Sequence, residues 1–242
     1  MEQNEPSENE PSKSKLGEAL LSRKVSDLPL RIKSTHLESL IFQLYQELDN
    51  AGIVFKPSTY LSDIWGCPNE VPTIGIPFYL ANPLLCDAYA LVTGTSYEDD
   101  QTIMMLLRHE AGHAFNYAYR LYERPDWQHV FGRFSLPYRD AYRPDPLSNQ
   151  FVCHLPGYYA QKHPDDDFAE TFAVWLTPLL KWPRTYAGTP ALAKLRYVNH
   201  IAAIYGRKAP DITGGKLDMP FEEIQQPLGK WLYRVVLWEA AG

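Results

Sequence analysis

The chain has only three cysteines in 242 residues, Cys67, Cys86 and Cys153, and no two form a CxxC pair. An odd, widely spaced set is a poor disulfide framework and leaves no cysteine zinc knuckle. Each is expected to be a small buried hydrophobe. Basic charge is short as well: 23 Lys and Arg against 29 Asp and Glu give a formal charge of −6. A nucleic-acid surface calls for a basic stripe, so no nucleic-acid partner is expected. No run of eighteen apolar residues occurs, so no membrane-spanning helix is expected. Between Met1 and Pro11, acids and prolines stand where a signal peptide would carry lysine and an apolar stretch, which makes the cytoplasm the expected location.

What is present is a chain 45% apolar and 13% aromatic, enough to bury a core. Residues 1–15 are polar and acidic and are expected to form a disordered tail. Leu40, Leu44, Tyr45 and Leu48 recur at helical intervals before a stop at Gly52, predicting a helix over 36–50. Three short apolar runs, Ile53 to Phe55, Tyr60 to Trp65 and Thr73 to Leu80, read as strands of a small mixed sheet. Pro77 removes a ladder donor, so the third strand belongs at an edge. Ser96 is expected to cap a helix reaching about Arg120, with Asp99 reaching back. The stretch from Pro125 to Tyr158 shows little periodicity and reads as a long loop. Pro164 and three acids, Asp165 to Asp167, suit the first turn of a helix that Thr177-Pro178 ends. Two more helices are expected near 190–205 and 221–238. The fold class is therefore α+β: the tail, an α+β part over 16–122, and a mainly helical part over 123–242.

The chemistry is concentrated in Arg108-His109-Glu110-Ala111-Gly112-His113. Two histidines four apart share one helix face, so both imidazoles can reach one metal ion, and the intervening glutamate faces a metal-bound water. Gly112 costs about 1 kcal/mol relative to alanine in mid-helix, which implies that a neighbouring segment approaches closely. A third ligand is available in Glu170. It lies away from the Phe168, Phe172, Trp175 and Leu176 stripe, on a face with Asp167, Ala173 and Val174. Three protein ligands and one open position describe a catalytic zinc site, with one zinc ion per chain. Asp167 is a candidate to orient a ligand histidine, or else simply serves the helix dipole.

The segment Leu107 to Tyr119, with His163-Pro164 and Asp167 to Ala173, resembles the bacterial zinc-binding metallopeptidase family of the gluzincin type. The resemblance runs from about Leu28 to about Ile204, and takes in Tyr60 to Asp63 and Gly75 to Tyr79. It implies a zincin-like fold, ligation by His109, His113 and Glu170, and hydrolysis of peptide bonds. Some members carry an N-terminal zinc ribbon of cysteine pairs, which this chain lacks. In related enzymes a tyrosine or histidine shortly before the glutamate ligand stabilises the oxyanion, and here Tyr159 and His163 are the favoured candidates, with Tyr158 beside them. Zincins also add an extended peptide to the sheet edge beside the active-site helix, a role that would fall to Gly75, Ile76, Pro77 and Phe78. The expected partner is a peptide or protein substrate, with Glu110 as general base. A hydrolase of non-peptide amides and a non-catalytic zinc module are the competing readings.

Overall fold

The helix expected over 36–50 forms where its apolar spacing puts it. Helix α1 (His36–Asn50) buries Leu37, Leu40, Ile41, Leu44 and Leu48. The structure, a computed structural model, describes residues 17–138 and 142–239. The expected tail over 1–15 lies outside them. The fold is α+β and mostly helical. After α1 come β1 (Ser58–Ser62) and β2 (Thr73–Pro77), then α2 (Pro83–Thr93) and α3 (Asp100–Ala118). The remaining larger helices are α4 (Pro125–Phe131), α5 (Pro164–Leu176), α6 (Ala191–Tyr205) and α7 (Leu228–Glu239). No described helix is long and apolar enough to cross a membrane.

The sheet differs from expectation. It consists of β1 and β2, paired in parallel with Tyr60 opposite Gly75. The run Ile53 to Phe55 is not a strand; Val54 N–H donates to the Gly206 carbonyl at 2.7 Å, outside any ladder. All five residues of β2 are buried. Gly75 exchanges both of its backbone hydrogen bonds with Gly66, at 2.8 and 3.3 Å. Beyond Pro77 the chain turns into a 3-10 helix, Phe78–Ala81, and Phe78 packs on Trp231 with ring centroids 4.6 Å apart. As one of two strands β2 stands at the sheet edge, as Pro77 implies, but it is buried along its length and its outer side is bridged by Gly66 at Gly75. Phe78, expected with Gly75, Ile76 and Pro77 to bind peptide, lies beyond the strand in the 3-10 helix.

Helices α2 and α4 are not among the expected elements. Helix α2 starts at Asn82, whose side chain accepts from Leu84 N–H, and ends at Gly94 in the left-handed region. Helix α4 has Pro125 at its first turn, so the 125–158 stretch is only partly irregular. Helix α3 begins three residues later than its expected cap: Asp99, not Ser96, accepts from Thr102 N–H at 2.7 Å. One main core runs from Val25 to Leu232 and draws on both expected halves, with a smaller cluster around Val152, Val174 and Leu195. Arg108 ties α3 to α1 through two bonds to Glu47, 2.7 and 2.8 Å long. Of the cysteines, Cys86 meets the expectation of burial and the other two do not. Cys86 is buried, Cys67 is half-buried and Cys153 is exposed, all three as free thiols.

Helices α3 and α5 approach through Gly112. A Cβ built there would lie 2.7 Å from Ala169 Cα and 2.9 Å from Ala169 O. Backbone atoms cannot step aside as a flexible side chain can, so the two helices could not stay this close around any larger residue. Gly112→Ala gains intrinsic helix propensity of about 1 kcal/mol, yet overpacking of this kind costs about 1–3 kcal/mol. The expected outcome is a lower midpoint in thermal unfolding. A stabilised G112A would show that the contact is not restrictive.

Candidate metal centre

From His109 to Ala118, every residue of α3 is buried, so its polar side chains need partners inside the protein. The two histidines find theirs on α5. His109 Nδ1 lies 2.9 Å from Glu170 Oε1, and His113 Nδ1 lies 2.8 Å from Asp165 Oδ2. A carboxylate can only accept, so each Nδ1 carries a proton, which leaves Nε2 as the nitrogen of each ring that could bind a metal. The Nε2 atoms face one another at 3.1 Å. Asp166 Oδ1 completes a triangle, 3.8 Å from His109 Nε2 and 3.7 Å from His113 Nε2.

This buried group of His109, His113 and Asp166 could hold a metal ion. Three observations support the fit. The circle through the three ligand atoms has a radius of about 2.1 Å from those separations, within the usual length of metal bonds to imidazole nitrogen and carboxylate oxygen. Asp166 Oδ1 is buried without a hydrogen-bond partner, and so is Glu110 Oε2. Burial alone would lower the His113 imidazole, but Asp165 and Asp166 draw it well above its ordinary value. The surroundings thus favour positive charge at this point, and a cation meets that demand.

Each carboxylate around the triangle is held. Asp165 also accepts from Asn116 Nδ2 at 2.7 Å and Tyr117 Oη at 2.5 Å. Burial pushes this carboxyl up, but His113 and the two donors outweigh it and keep it below its ordinary range. Asp166 uses its second oxygen to accept from Tyr138 Oη at 2.5 Å. Glu170 is fully buried and accepts the backbone N–H of His154 and of Leu155, each at 3.0 Å. These last contacts come from the stretch before α5, which therefore shapes the site.

Glu170, the expected third ligand, is not part of the group that could hold a metal ion. The structure brings His109 and His113 together as expected, but Glu170 sits at the Nδ1 edge of His109, turned from the point where the Nε2 atoms converge. Asp166 occupies the third position. Asp166 and Glu170 are four apart and share a helix face, so the spacing alone does not separate them. Asp167 does not orient a histidine. It bonds Lys194 Nζ at 2.6 Å, and burial pushes its carboxyl up to about 7 against the pull of that ammonium. The orienting roles belong to Asp165 and Glu170.

Of the oxyanion candidates, His163 has both ring nitrogens occupied. Its Nδ1 accepts from Asp165 N–H at 3.1 Å as the cap of α5, and its Nε2 donates to the Leu136 carbonyl at 2.9 Å. It is a capping residue at the cleft wall, with no proton left to offer. Tyr159 sets its ring edge-on to His109, centroids 5.5 Å apart. Burial and the nearby Asp166 push its phenol up to about 12. Tyr158 is exposed with a left-handed backbone, φ 60°. Glu110 and both histidines line a cleft of about 370 Å³, whose other walls include Trp65, Gly66, Cys67, Tyr138 and Tyr159. Cys67 donates its thiol to the Glu110 carbonyl at 3.3 Å, and burial pushes that thiol well above its ordinary value. Asp165, Asp166, Asn116, Tyr117 and Tyr138 were not identified from the sequence, although the three successive acids ahead of Glu170 were in view.

No family model, curated protein or solved structure matches the chain.

The ligand assignment makes a prediction. Asp166→Ala should abolish tight binding of a divalent cation in a calorimetric titration. Glu170→Gln should weaken it by about 10–100-fold, as expected for a residue that orients a ligand. Equal losses in the two variants would refute the division of roles.

Proposed function

We propose that this protein is a zinc-dependent peptidase of the HExxH type, with His109, His113 and Asp166 as metal ligands and Glu110 as general base. The proposal keeps the zincin-like arrangement implied by the sequence resemblance and replaces its glutamate ligand by an aspartate. One observation carries it: two buried carboxylate oxygens without partners, Asp166 Oδ1 and Glu110 Oε2, border the same cleft as two converging imidazole Nε2 atoms. Two nitrogens and one oxygen with an open cleft beside them suit a catalytic zinc ion better than a closed structural site. A site that served binding alone would have no use for Glu110, whose free oxygen is costly to bury.

A zinc ion bound here would supply Lewis acidity and lower the pKa of a coordinated water toward 7. The protein supplies the rest. Glu110 is the free base beside the metal position; it takes a proton from the attacking water and returns it to the leaving amine. Asp165 and Glu170 hold each imidazole in the Nδ1–H tautomer, so both Nε2 lone pairs stay directed into the cleft. Tyr138 pins Asp166 through its second oxygen, leaving Oδ1 aimed inward. Tyr159 stays protonated at neutral pH, because burial and Asp166 oppose its ionisation, and it donates its phenolic hydrogen to the developing oxyanion. Lys162 Nζ lies 3.3 Å from that hydroxyl and positions it.

Two variants test these roles. Glu110→Gln should retain one zinc per chain by elemental analysis and lose about two to four orders of magnitude in kcat on a peptide mixture. Retained turnover in E110Q would remove the general base. Tyr159→Phe should lower kcat by about 10²–10³-fold with KM little changed, whereas a donor elsewhere would leave kcat intact.

A further inference from the structure

A second cavity, of about 580 Å³, adjoins the metal cleft. Trp65 and Tyr159 line both spaces, so they share a wall. Tyr79, Tyr89 and Trp231 give the second cavity an aromatic interior. Tyr79 and Tyr89 stack at 4.3 Å, and Tyr79 lies 5.8 Å from the buried Trp231. Tight internal packing fixes these rings in place, so the cavity has preformed apolar walls of the kind that receive a ligand side chain.

An ion pair, a hydrogen-bonded carboxylate and an ammonium border it, two charges of each sign. Asp63 accepts two bonds from Arg234, at 2.8 and 2.7 Å, and one from the Trp231 indole. Glu98 accepts from Trp65 Nε1 at 3.1 Å and from Tyr79 Oη at 2.8 Å. An aromatic box with a carboxylate would ordinarily suit a cation. Here both Glu98 oxygens are already engaged, and the Lys162 ammonium stands at the shared wall, 4.9 Å from the Tyr159 ring centre. A cationic side chain would lose its water and meet a like charge.

We infer that this cavity is a specificity subsite that takes a large apolar or aromatic side chain adjoining the scissile bond and rejects lysine and arginine. The inference rests on the peptidase reading for the kind of ligand, while the selectivity follows from the walls. Contiguity with the metal cleft decides the occupant: a chain lying across His109 and Tyr159 would carry a neighbouring side chain past Trp65 into this space.

The test uses zinc-loaded protein carrying Glu110→Gln, so that peptide binds without being cut. Calorimetry compares an all-alanine hexapeptide containing one phenylalanine with its single-lysine counterpart. Burial of the ring should make the phenylalanine peptide bind at least about tenfold more tightly. Equal affinities, or tighter binding of the lysine peptide, would overturn the inference. Val235 also borders the cavity, and Val235→Trp should fill it and erase the preference. A folded V235W protein that keeps the preference would overturn the inference too. If V235W does not fold, the peptide pair still decides. A protein that binds the phenylalanine peptide selectively but, with Glu110 restored, cuts no peptide in a library digest would refute the peptidase reading and leave the subsite standing.

Discussion

The contact between Gly112 and the backbone of Ala169 sets the distance between α3 and α5, and the metal centre depends on that distance. Imidazoles and carboxylates are short side chains, and they meet at 2.8 and 2.9 Å only because nothing larger than hydrogen separates the helices at this turn. The helix pays for the glycine in propensity. What the fold gains is a pair of rigid elements at a fixed separation. A site built on them keeps its geometry better than one carried by loops.

Around that contact the polar groups form a layered arrangement. Asp165 and Glu170 face the Nδ1 atoms, Asp166 faces the Nε2 atoms, and Tyr117, Asn116, Tyr138 and the 154–155 backbone hold the carboxylates in turn. Burial makes each of these bonds strong and each missing partner costly. Among the buried oxygens left without a partner, Asp166 Oδ1 and Glu110 Oε2 belong to residues that line the cleft beside the two imidazoles. They lie at the same cleft, as a cation site with an adjoining general base requires.

The same economy of space governs the cavities. Gly66 pairs with Gly75, so the extended segment from Trp65 to Cys67 lies against β2 and forms a wall of the metal cleft. That pairing covers the sheet edge at Gly75, and an aromatic cavity lies along Trp65 beside the cleft.

Much of this was legible in the chain itself. The spacing of Leu40, Leu44 and Leu48 located α1, and Pro164 with its following acids located the start of α5. The His109–Glu110–His113 pattern named the metal-binding face, and Gly112 announced a close neighbour. These are local properties, determined by the 3.6-residue period and by which residues tolerate a helix terminus. Helices α2 and α4 carry comparable local signals, at Asn82-Pro83 with Gly94 and at Pro125 with Gly132. The third member of the candidate site was of another kind. Asp166 and Glu170 share one face of α5, one turn of about 5.4 Å apart along its axis, and only the offset of α5 against α3 decides which carboxylate meets Nε2 and which meets Nδ1. That offset comes from packing between segments distant in sequence, as does the pairing of Gly66 with Gly75. The amino-acid sequence by itself determined which residues could do the chemistry; the tertiary structure alone decided which of them meet, because a helix period fixes a direction but not a neighbour.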